Sequence, residues 1–171
     1  MSLPSLLPAE LVDLAARVVA ENKALGRTVA LAESCTGGLV AAALTEIAGS
    51  SAVLDRGFVT YSNDAKRETL GVPEEILDAF GAVSVATAWA MAQGALKYSG
   101  ADVAVAISGI AGPDGGSEHR PVGTVVFARA VRGQDEDVDA EEKRLDGSSR
   151  ASVRLQAALV ALELLLPGSA P

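Results

Sequence analysis

Two short stretches hold the residues with which this sequence could do chemistry. "AESCTGG", residues 32–38, sets Ser34, Cys35 and Thr36 ahead of Gly37 and Gly38, just after the apolar run of residues 29–32. A serine between a strand and a helix is among the commonest helix caps. The same place suits a nucleophile, because the first helical amides, around Thr36 and Gly37, lack partners within the helix. Gly37 and Gly38 let a ligand approach them closely, and those amides can receive a phosphate or an oxyanion. The local sequence is compatible with both roles. "TYSNDAK", residues 60–66, places Tyr61 at the end of a second predicted strand and Lys66 about one turn into the next helix. Parallel strands of an open α/β sheet bring their carboxyl ends together, so Ser34, Tyr61 and Lys66 can converge. A serine needs a base, and with a single histidine in the chain a lysine is the candidate. Its pKa must fall from about 10.4 to about 7–8, on the order of 4 kcal/mol against the ammonium. Partial burial supplies that, with Tyr61 bonding the amine or relaying its proton. The alternative is a solvated face in which Lys66 sits beside Arg67 and Glu68.

A third stretch, "SGIAGPDGG" (residues 108–116), follows the most apolar predicted strand. Ser108, Gly109, Ala111 and Gly112 belong to tight turns whose amides are free to face a ligand. It is neither a Walker loop nor a dinucleotide fingerprint, since both required spacings are missing. Cys35 reads as a small core residue, or as a thiol activated by the helix start. His119 is expected at the rim of the loop; as the lone imidazole it allows no two-histidine metal site, and neither a metal nor another cofactor is expected. Arg150 and Arg154 fall in the first turns of the last predicted helix, where a cation opposes the helix dipole. They read as a clamp for an anionic ligand or as surface charge.

The elements that must position these groups follow from periodicity. Leu11, Leu14, Ala15, Val18 and Val19 predict a helix over 8–25. Strands are expected at 28–33, 55–62, 102–109 and 124–131. Helices are expected at 36–49, at 63–72 with Asn63 or Asp64 as cap, at 73–81 with Pro73 in its first turn, at 84–100 and at 148–166. The charged run 133–147 is either an edge strand or a mobile hairpin. Strands alternating with helices predict one domain over 1–171, with its core at about 8–165: a three-layer α/β/α sandwich around a mostly parallel or mixed sheet. The 171 residues are 49% apolar but only 4% aromatic, so the core is built from Ala, Val, Leu and Ile. A net charge of -8 argues against a nucleic-acid binder but leaves an anionic small substrate open. One cysteine, no signal-peptide pattern and no membrane-length apolar run predict a soluble, cytoplasmic protein.

"AESCTGGLVAAALTEIAGSS", "GFVTYSNDAKRETLGV", "GAVSVATAWAMAQGAL", "SGIAGPDGG" and "PVGTVVFA", in this order, resemble the C-terminal domain of the competence/damage-inducible protein CinA, the nicotinamide-nucleotide amidase family. The resemblance covers about residues 8–165 and is to the stand-alone form. It implies metal-independent hydrolysis of nicotinamide mononucleotide to nicotinic acid mononucleotide and ammonia. Ser34 would be the nucleophile, Lys66 the base and Tyr61 an assistant, with Thr36, Gly37 and Gly38 around the oxyanion. Ser108, Gly109, Ala111, Gly112 and Arg150 would orient the nucleotide. Where the family tends to carry Gly-Asp-Arg before the last helix, this chain reads "LDGSSRASVR". The competing readings are a non-catalytic nucleotide-binding or regulatory module and an amidase of another carboxamide. The apolar surface of "LQAALVALELLL" suits a homodimer and core packing equally.

Overall fold

Large and small apolar residues alternate along the strands, and this alternation decides how the layers stack. In the computed structural model, which describes residues 4–168, five strands form one sheet. They are β1 (Val29–Glu33), β2 (Leu54–Val59), β3 (Val103–Gly109), β4 (Thr124–Val131) and β5 (Asp139–Arg144). Their spatial order is β2-β1-β3-β4-β5. β2, β1 and β3 pair in parallel, β4 pairs antiparallel with β3 and β5 antiparallel with β4, so the expected mixed sheet is present with the most apolar strand, β3, at its centre. The helices are α1 (Ala9–Ala24), α2 (Leu39–Thr45), α3 (Asn63–Leu70), α4 (Glu74–Phe80), α5 (Val85–Lys97) and α6 (Arg150–Leu165).

Val29, Leu31, Val105, Ile107, Val125 and Phe127 pack with α1, α2 and α6. The intervening residues, Ala30, Ala32, Ala104, Ala106, Ala128 and Ala130, pack on the other face with α5 and with Leu70 and Leu77 from α3 and α4. Alanine strands let α5 approach closely, and α5 is itself lined by Ala88, Ala92 and Ala95. A side chain at Gly94 would strike the backbone carbonyl of Leu70 on α3. Close-packed small residues therefore replace the missing aromatics, with dispersion gained over many short contacts. The apolar positions of α6, such as Ala157, Ala161 and Leu162, lie inside this core. No helix among the described residues is long and apolar enough to cross a membrane.

Several boundaries differ from expectation. The predicted helix over 36–49 shrinks to α2, starting late because Gly37 (φ 60) and Gly38 (φ 97) adopt left-handed backbone, and a separate 3-10 turn at Ser50–Ala52 lies beyond its predicted end. Ser62, not Asn63 or Asp64, caps α3, accepting the Ala65 amide at 3.0 Å. Pro73 precedes α4 rather than opening it, and α5 ends at Lys97, short of Gly100. The charged run contains the edge strand β5, hairpinned to β4. The ends of the expected 1–171 domain, residues 1–3 and 169–171, lie outside the described residues.

Candidate active site

β1 continues in register past its last residue: the Ser34 amide donates to the Ile107 carbonyl at 2.9 Å, and the Thr60 amide donates to the Glu33 carbonyl at 2.9 Å. Pairing of β1 with β2 thus sets Ser34 beside the segment leading into α3. There Lys66, one turn into the helix, folds its side chain back under the sheet end and is only 1% exposed. Its Nζ lies 3.0 Å from Ser34 Oγ and donates to the carbonyls of Thr60 (2.9 Å) and Tyr61 (3.3 Å). Burial pushes the Lys66 pKa below its ordinary value, opposed in part by Cys35. The solvated-face alternative for Lys66 is excluded. A neutral amine here has a specific geometry: two N–H groups go to the two carbonyls, and the lone pair is left toward the serine hydroxyl.

Ser34 does not cap α2. The cap comes from Glu33, a buried carboxylate that sequence reasoning passed over as the last residue of a strand. Its Oε2 accepts from the Thr36 hydroxyl (2.6 Å) and the Gly38 and Val40 amides (3.0 and 3.2 Å), and its Oε1 from the Ala41 amide (2.9 Å). A glutamate one residue before a serine-led helix start was the available signal. The donors expected around Thr36, Gly37 and Gly38 are rearranged by it. The Gly38 amide is taken by Glu33 and the Gly37 amide by the Ser34 carbonyl at 3.0 Å, and neither glycine lines the cavity, nor does Thr36, which is fully buried. Among the described residues, the Cys35 and Thr36 amides are the ones in this turn with no acceptor from another residue. Arg154 braces the turn from α6, donating to the Cys35 and Thr36 carbonyls at 3.2 and 3.0 Å, so it is neither a free surface charge nor a cavity residue.

A cavity of about 260 Å³ opens over Ser34. Ser34, Cys35, Tyr61 and Lys66 line it together with Ser108, Gly109, Ala111, Gly112 and Arg150. Ala82, Val83, Asp114 and Gly115 also line it; Asp114 and the 82–83 pair were not anticipated. Gly109 is required by space, since a Cβ there would stand 2.7 Å from Val125 Cγ2. Ser108 is anchored, donating to the Ala82 carbonyl at 2.8 Å. Despite the sequence departure before it, Arg150 opens α6 at the cavity wall and donates to the Gly112 carbonyl (2.6 Å) and the Tyr61 hydroxyl (3.0 Å). The expected bond from the Tyr61 phenol to the Lys66 amine is therefore absent; the phenol, on a 62% exposed residue, meets Arg150, and only the Tyr61 carbonyl reaches Lys66.

Burial pushes the Cys35 thiol up to about 11, with the Glu33 carboxylate adding to the shift, so at neutral pH it is a protonated thiol and a poor nucleophile. His119 is exposed and outside the cavity, its carbonyl accepting from Arg144 at 2.8 Å. Among the described residues, no group of three or more His, Cys, Asp or Glu side chains is placed to hold a metal ion. What the arrangement provides is a hydroxyl on a buried amine, with the Arg150 guanidinium and the Tyr61 phenol lining the same open cavity.

Known proteins share this arrangement of elements and motifs. The nicotinamide-nucleotide amidohydrolases PncC of Enterobacter agglomerans and of Escherichia coli K12 are each 54% identical to this chain, over 90% and 91% of it and 92% and 93% of their own lengths. A CinA-like protein of Mycolicibacterium gilvum is also 54% identical, but the match takes in 82% of this chain and 32% of that one. The crystal structure of the competence/damage inducible protein CihA from Agrobacterium tumefaciens superposes with a TM-score of 0.89 at 53% identity, covering 96% of this chain and 97% of that one. Residues 11–167 match the family described as CinA C-terminal domain. With that span, these relatives and the shared fold, the chain belongs to the CinA C-terminal domain family.

Proposed function

We propose that this protein is a nicotinamide-nucleotide amidohydrolase of pyridine-nucleotide salvage, working in the cytoplasm. On this reading Ser34 attacks and Lys66 is its base. The observation that carries the mechanism is the 3.0 Å contact of Ser34 Oγ with an amine whose remaining hydrogens are held by the Thr60 and Tyr61 carbonyls. The names of relatives 54% identical over nine-tenths of the chain support the substrate.

Lys66 Nζ takes the Ser34 proton as Oγ bonds to the carboxamide carbon, and the carbonyl oxygen becomes an oxyanion on the side of the Cys35 amide, at the cavity wall. The lysine proton passes to the amide nitrogen, the C–N bond breaks and ammonia leaves, with Ser34 acylated. Lys66 then deprotonates a water that attacks the ester; the acid is released and Ser34 regains its proton. Arg150 receives the phosphate, and Asp114, Ser108 and the turn at Gly109–Gly112 bound the ribose. The 260 Å³ cavity takes the reacting half of a mononucleotide, and its openness to solvent leaves the phosphate at the rim.

Ammonia release from nicotinamide mononucleotide by the purified protein with EDTA present tests this, alongside Ser34→Ala and Cys35→Ala. Turnover that persists in EDTA and in Cys35→Ala (within about threefold, since only a thiol outside the chemistry is removed and the backbone amide stays) but disappears in Ser34→Ala is the expected result. No ammonia from the wild type would return the site to the non-catalytic binding reading. Release from a different carboxamide alone would change the substrate and keep the mechanism.

A further inference from the structure

Glu33 is a buried carboxylate to which the mechanism assigns no task. Its backbone and side chain act on the two halves of the site separately. The Glu33 carbonyl accepts the Thr60 amide at 2.9 Å, and so fixes the segment whose next carbonyls hold Lys66. Its carboxylate meets the Thr36 hydroxyl and the Gly38, Val40 and Ala41 amides, all within 3.2 Å. Those amides at the start of α2 are the donors that a serine cap would seek. With them occupied, no backbone donor of α2 competes for the Ser34 hydroxyl.

We propose that Glu33 is a positioning residue for Ser34: by capping α2 from the end of β1, it fixes the turn from Ser34 to Gly38 and reserves the serine hydroxyl for Lys66. The inference rests on the Ser34–Lys66 reading of the site. It has a corollary for the substrate. The start of α2 already holds a carboxylate, so a substrate phosphate is directed to Arg150, which lines the cavity.

The test is Glu33→Gln, which keeps the shape but turns an NH2 group toward donors. The expected result is a fall in kcat of about a hundredfold, the cost of a small misplacement of a reacting group, with KM within about threefold of wild type. The rate at which phenylmethylsulfonyl fluoride modifies Ser34 should fall by the same factor. The midpoint of the pH–rate limb should stay, because the groups around Lys66 Nζ are unchanged. A kcat and labelling rate within about twofold of wild type overturn the proposal, as does a loss of kcat accounted for by an equal loss of folded protein. Thr36→Val, which removes only the 2.6 Å donor, serves if the glutamine variant does not fold. It should lower kcat and labelling about fivefold, roughly one hydrogen bond's worth, and unchanged rates overturn the proposal. Wild-type protein that labels at Ser34 but leaves the nucleotide intact rejects the substrate reading alone, and the labelling ratio still decides the role of Glu33. Wild type that does not label at Ser34 rejects both.

Discussion

Ser62, Ser84 and Ser149 stand before α3, α5 and α6, and each accepts the amide three residues on, at 3.0, 3.1 and 3.0 Å. Ser34 also stands between a strand and a helix, yet it caps nothing and meets a buried amine instead. The four residues are chemically identical. What separates them is the supply of other acceptors: Glu33 serves α2, and the left-handed glycines 37 and 38 move the helix start away from Ser34. A serine's task is therefore set by its neighbours' unmet hydrogen bonds rather than by its own propensity.

The sharpest way to break this comparison is to remove each partner in turn. Ser34→Ala and Lys66→Met should each lower kcat by at least about 10⁴-fold, and the double variant should be no worse than either, since a nucleophile and its base act as a unit. Steady-state ammonia release checks both. Arg150→Ala should come next: one charge-assisted phosphate contact of about 1.5–3 kcal/mol corresponds to roughly 10–100-fold in kcat/KM, carried mostly by KM. An effect on kcat alone would move the phosphate elsewhere.

The pH dependence sharpens the role of the amine. The Lys66 pKa is lowered in the folded protein from 10.5, so kcat/KM should rise with pH through a limb whose midpoint lies below that value. Stability has the same sign. Between the lowered pKa and 10.5 the unfolded chain binds more protons at this lysine than the folded one, so burial of Lys66 weakens the fold at lower pH and ceases to do so above 10.5. Chemical denaturation across this range should show stability rising with pH, and Lys66→Met should flatten the rise. The smallest effects separate the serines themselves. Ser62→Ala and Ser84→Ala should each cost about 1 kcal/mol of stability, the usual value of a cap. Ser34→Ala should leave the melting midpoint within about 1 °C, because no helix depends on it.

The strands and long helices were legible because their apolar periods are strong, and the mixed sheet followed from their alternation. Lys66 was legible as a candidate from its place after β2, but its burial was not. Its neighbours Arg67 and Glu68 are exposed, and the long-range pairing of β1 with β2 brings Ser34 onto it. Glu33 was hidden for the opposite reason: a charged residue ending an apolar strand looks like a solvent-facing boundary until the helix start folds over it. The Tyr61 hydroxyl was assigned to the wrong partner because Arg150 lies 89 residues away in sequence.

Lys66 and the carbonyls that hold it come from one short segment, residues 60–66, and Ser34 and the carboxylate that caps α2 from another, residues 33–41. The two halves are joined through β2, an edge strand whose residues are mostly exposed. Edge strands open at lower free energy than a central strand such as β3. Catalysis should then vanish at denaturant concentrations where the remaining four strands still stand, so enzyme activity reads out the first unzipping of the sheet, well ahead of its collapse.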